Sequence, residues 1–193
     1  SLNPSMPKEL TGILENVRFF HSLSQNSSDL LSACFGMHAS LTLDNATLTK
    51  CRESIPEGAG FHLHVAEQQA DQFDSLEKYG MRVIERLNKF GILGEKTILA
   101  HCVHIDAREV ELLSETSTWV THQPRSNMNN AVGMADIKSM LNAGVRLGMG
   151  NDGFSNTMWE EWKAAYLSQK LWNSDPRYGN GNDIVEMAIY QNA

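Results

Sequence analysis

Apolar positions follow two different periods along this chain. Short apolar runs at residues 61–65, 97–101, 118–121 and 145–149 predict strands, and SSDLLSACFGMH predicts an earlier one ending near Gly36 or Met37. Helical spacing appears between them. Leu10, Ile13, Leu14, Val17 and Phe20 predict a helix from about Pro7 to His21. Asp44 predicts the cap of a short helix reaching about Ser54. Residues 69–90 read as a helical region split at Gly80, with Val83, Ile84 and Leu87 as the stripe of its second half. Asp106 opens a helix carrying Val110, Leu112 and Leu113. Ile137, Met140 and Leu141 mark another, and a longer one carrying Trp159, Trp162 and Ala165 starts near Asn156. THQPRSNMNN and SDPRYGNGND read as polar loops, and IVEMAIYQNA as a final helix.

The order is a helix followed by five strand–helix units, which predicts an α/β fold of parallel βαβ units in one domain spanning residues 1–193. A complete (β/α)8 barrel takes about 250 residues, so five strands are too few to close one. An open doubly wound sheet and part of a barrel both remain.

Composition narrows the function. The formal charge is −7 with no run of Lys or Arg, which argues against nucleic acid as partner. No apolar stretch approaches the roughly 20 residues of a membrane span, and the first residues lack the apolar core of a signal peptide. Three cysteines without a CxxC suit a reduced, cytoplasmic setting, with Cys34 and Cys102 as core thiols.

Candidate chemistry gathers at the strand ends. His62 and His64 alternate on one strand and face the same side, and neutral imidazole is a common metal ligand. Glu67 falls just past that strand, where it could act as a general acid or base. His101 ends the next strand, placed to ligate metal or hold a reacting oxygen, while His104 suits a helix start. In THQPRSNMNN, Pro124 fixes a turn from which His122, Arg125, Ser126 and Asn127 can project toward a substrate. Asp152, in GMGNDG, can bind metal and take a proton. Each motif has a plain alternative: core histidines, a helix-start glutamate, a polar surface loop, an Asx-turn. Those alternatives do not explain why successive strand ends all carry such groups. No GxSxG or GxxxxGK[ST] is present, so a serine nucleophile and a P-loop are unsupported.

The series HVAE, AHCVH, THQPRSNM and GNDGFSN resembles the amidohydrolase superfamily. Within it, the series is most similar to the branch of triazine chlorohydrolases and nucleobase deaminases, including aminohydrolases linked to selenium metabolism. The resemblance runs from about residue 30 to the C-terminus. It implies strands four to eight of a TIM barrel and one divalent metal ion, zinc or iron. It also implies hydrolysis of a C–N or C–Cl bond in a small heterocyclic substrate by metal-bound hydroxide. His64 would ligate the metal from strand five, and Asp152 would ligate it from strand eight and act as general base. Glu67 would shuttle the proton, and His101 would contact the substrate or the hydroxide. His122, Arg125 and Asn127 would belong to the substrate-facing loop.

The family's first-strand HxH pair has no counterpart, since only His21 and His38 precede residue 60. The strand ending in His38 offers no lysine to bridge two metals, which favours a mononuclear site. These 193 residues alone are therefore expected to hold metal weakly and to be inactive, with exposed strand edges that self-association as a homo-oligomer would cover. The competing reading is a non-catalytic α/β module that binds a partner or small ligand through its donor-rich loop.

Overall fold

The computed structural model of this chain describes residues 8–25 and 32–192. Helix α1 spans Lys8–Gln25, and residues 26–31, where the first expected strand was to begin, lie outside the described part. The strands are β1 (Cys34–Gly36), β2 (Gly60–Val65), β3 (Ile98–His101), β4 (Trp119–His122) and β5 (Arg146–Met149). Between them run α2 (Asn45–Glu53), α3 (Gln69–Tyr79), α4 (Val83–Lys89), α5 (Ala107–Glu115), α6 (Pro124–Asn129) and α7 (Ile137–Asn142). After β5 come α8 (Met158–Asn173) and α9 (Gly181–Val185), which runs into a π turn at Glu186–Tyr190.

The five strands lie side by side in sequence order, every neighbour parallel. That order settles the architecture. A doubly wound sheet reverses its strand order at a switch point, whereas a barrel steps one strand at a time in one direction. This is a five-strand portion of a (β/α)8-type barrel.

Strand alternation divides the side chains. Phe61, Leu63 and Val65 are buried on the outer face of β2, joined by Leu99, Val120 and Leu147 from its neighbours. Ile84, Leu87, Leu113, Ile137 and Met140 of the helices pack with them in one apolar cluster. Each such side chain contributes roughly 1.5–3 kcal/mol on burial. Gly60 is dictated by crowding, since a Cβ there would lie 1.7 Å from the Lys96 carbonyl oxygen. The expected caps form: Asp44 accepts from the Thr47 amide at 2.7 Å, and Asp106 from the Glu109 amide at 3.0 Å. Gly80 ends α3 with a left-handed φ of 67°.

The segment after β4 departs from expectation. It is helix α6, not a polar loop. Pro124 occupies the first turn, where its fixed φ suits a helix and its missing N–H costs nothing. Apolar periodicity is absent because the buried face of α6 is itself polar, carrying Ser126 and Asn127. The final helix also starts earlier than expected, at Gly181, because the Asn180 side chain caps the amides of Asn182 and Asp183.

At the outer edge of β5, one side chain pairs with the backbone of Met149. Asn192 accepts from the Met149 amide at 3.0 Å and donates to its carbonyl at 3.0 Å, imitating a neighbouring strand. Among the described residues, no helix is long and apolar enough to cross a membrane.

Candidate active site

The inner face of the sheet opens into a cleft of about 390 Å³ at the strands' C-terminal ends, lined by His62, His64, His101, Gln123 and Asp152 among others. His64 points there by strand alternation, like His62 two residues before it. His101 does not. Its register partner is Val65, an outward residue, so a regular strand would send His101 toward the helices. The backbone instead turns left-handed, with φ of 74° at His101 and 47° at Cys102. Ala66 (47°) and Asp152 (51°) do the same after their strands. Such non-glycine conformations cost about 1–3 kcal/mol each and need support from their surroundings. The support is visible. The Ala66 amide donates to buried Asp71 at 2.7 Å, the Cys102 amide to Val65 O at 2.9 Å, and the His101 amide to Gln123 Oε1 at 3.0 Å. Burial raises the Asp71 carboxyl above the usual carboxylate range.

These turns bring three groups together. One ligand atom each from Glu67, His101 and Asp152 lies within 4.8 Å of the others. His101 Nε2 is 3.7 Å from Glu67 Oε2 and 3.9 Å from Asp152 Oδ2. The His64 ring lies 5.5 Å from that of His101, centre to centre, and 5.9 Å from that of His38 at the end of β1. Burial first, then the neighbouring His101, lowers the His64 pKa and keeps a lone pair free for a ligand.

Helix α6 serves this cluster from behind. Ser126 Oγ donates to Asp152 Oδ2 at 2.6 Å, and Asn130 Nδ2 donates to Glu67 Oε1 at 3.1 Å. Asn127 is fully buried, with Oδ1 2.9 Å from His101 Nδ1. Gln123 and Asn130 were not singled out from the sequence. Their signal is helical spacing, 123 with 127 and 126 with 130, which vanishes when the segment is read as a loop.

The other two expected substrate residues lie elsewhere. His122 is completely buried, with no partner for either ring nitrogen among the described residues, and burial together with the neighbouring His101 holds its pKa down to about 4. Arg125 turns to α8, where Nε donates to Glu161 Oε1 at 2.6 Å and a guanidinium N–H contacts Glu160. It also donates to the Ser155 carbonyl at 2.8 Å, tying α6 to the loop behind Asp152.

A one-way parallel sheet with imidazoles and carboxylates converging at its C-terminal ends is the arrangement of a barrel enzyme site. The sequence profile of the amidohydrolase family matches residues 9–193, and this chain belongs to that family. It is 33% identical over 184 residues to a 5-methylthioadenosine/S-adenosylhomocysteine deaminase of Thermococcus kodakarensis, covering 93% of this chain and 43% of that protein. It is 32% identical over 184 residues to a 5'-deoxyadenosine deaminase of Methanosarcina mazei, again covering 93% and 43%. A zinc-containing adenosine deaminase structure from Xanthomonas campestris superposes with a TM-score of 0.82 at 24% identity, over 92% of this chain and 42% of the other. The chain thus spans less than half the length of these relatives.

Proposed function

We propose that this chain carries the later half of the active site of a metal-dependent aminohydrolase. In this reading the enzyme displaces an amino group from a heterocyclic ring, that of an adenine-type nucleoside. The observation that carries the proposal is the convergence of Glu67, His101 and Asp152 within 4.8 Å at the C-terminal ends of β2, β3 and β5. The names of the relatives support the substrate class. Deamination is preferred to dechlorination because the sequence relatives named above are deaminases.

The donor set fits a divalent cation. Carboxylate and neutral imidazole suit zinc, with iron as the other candidate. His64 and Asp152 would hold it, with the remaining ligands supplied by strands beyond these five. Bound there, the metal would supply the Lewis acidity that makes water nucleophilic near neutral pH.

The chain's own groups divide the proton work. Asp152, oriented by Ser126, takes the proton from the attacking water. Glu67, held by Asn130, delivers a proton to the ring nitrogen or the departing ammonia. His101 faces both carboxylates and stabilises the charge that develops between them.

The test is ammonia release from a panel of aminated purine nucleosides and free bases by the full-length protein, before and after chelation and zinc return. Release that is lost with chelator and restored by zinc supports the reading. Release indifferent to chelation, or none from any aminated heterocycle, refutes it.

A further inference from the structure

His101 is clamped from two directions by the turn after β4. Its backbone N–H donates to Gln123 Oε1 at 3.0 Å, which supports the left-handed φ of 74°. Gln123 is itself fixed: Nε2 donates to Thr121 Oγ1 at 2.6 Å, and its amide packs where a Cβ on residue 150 would come within 3.0 Å. The ring is held separately. Asn127 Oδ1 lies 2.9 Å from His101 Nδ1, and both residues are at most 1% exposed, so water does not compete for the contact.

A carbonyl oxygen only accepts. With Oδ1 toward the ring, the facing nitrogen carries the hydrogen, and in the neutral ring the other nitrogen is then a lone pair. We infer that Asn127, assisted by Gln123, is a positioning residue that fixes His101 as its Nδ1–H tautomer and turns Nε2 into the cleft between Glu67 and Asp152. The bond gives a fully buried asparagine a task behind the cleft, through His101 rather than against the substrate. Part of the inference rests on the reading of His101 as an active-site group given above; the tautomer itself does not.

The tautomer can be read directly. Long-range 1H–15N correlation on the histidine-labelled full-length protein distinguishes a protonated from a lone-pair ring nitrogen, and His101→Gln identifies the resonances. Wild-type His101 should show hydrogen on Nδ1 and a lone pair on Nε2. Asn127→Asp keeps an acceptor and should retain that pattern. Asn127→Leu has similar shape and no acceptor, and should lose it, with kcat falling about 10–100-fold at little change in KM. Hydrogen on Nε2 in the wild type overturns the inference and needs no variant to fold. An unchanged tautomer in folded Asn127→Leu overturns it too. A shifted tautomer with full turnover leaves the positioning intact and removes His101 from the proposed chemistry.

Discussion

Arg125 separates two ways of reading this chain. The family resemblance puts it in a substrate-facing loop, whereas its guanidinium lies against α8. Consider Arg125→Met, which keeps the aliphatic stem and deletes the charge. Glu161 is completely buried and accepts from Arg125 twice, at 2.6 Å from Nε and 3.2 Å from the backbone amide. The substitution leaves the second bond and strands a buried carboxylate. Removing one partner of a buried ion pair costs about 3–5 kcal/mol. For a chain of this size each kcal/mol moves Tm by about 2–4 °C, so a drop of roughly 6–20 °C is expected in thermal unfolding followed by circular dichroism. The double variant Arg125→Met/Glu161→Met removes both charges and should regain most of the loss, a coupling that a substrate contact would not produce. A single variant with unchanged Tm and a raised KM would refute the scaffold role and return Arg125 to the substrate.

Two further outcomes follow from buried groups. Because burial holds folded His122 near a pKa of about 4 against about 6.5 unfolded, the unfolded chain takes up a proton that the folded chain refuses between those values. Stability should be level above that window and fall through it by about 3 kcal/mol as pH drops, measured by urea unfolding; His122→Phe should remove this part of the acid limb, and an identical limb in the variant would refute the assignment. Burial pushes the Cys51 thiol up to about 11 and raises fully buried Cys102 further still. Both should resist a thiol reagent at neutral pH until the protein is denatured, and labelling of the native protein would contradict the packing described.

The fold was legible where one physical signal dominated. The apolar runs marked all five strands, and Asp44 and Asp106 marked their helix starts through side-chain caps. What the runs could not show was strand order, because barrel and doubly wound sheets share the same alternation of elements. His64 was legible from strand alternation alone. His101 was legible as a strand-end residue, but alternation would have sent it outward; only the left-handed turn held by Gln123 brings it into the cleft. Helix α6 is where apolar periodicity fails most. Its buried face is polar because Ser126 and Asn127 bond to Asp152 and His101, so the apolar stripe that normally reveals a helix is missing. The same polar face hides the partner of Arg125, since Glu161 lies 36 residues further along the chain.

The central claim is that the carboxylates at the strand ends move protons in a hydrolysis. It is tested most directly by steady-state ammonia release from wild-type and Glu67→Gln full-length protein, with metal content determined on the same samples. Glu67→Gln should retain its metal and lose turnover by about 100-fold or more, since glutamine keeps the shape and the Asn130 neighbour but cannot deliver the proton. Metal retained and turnover undiminished would contradict the account.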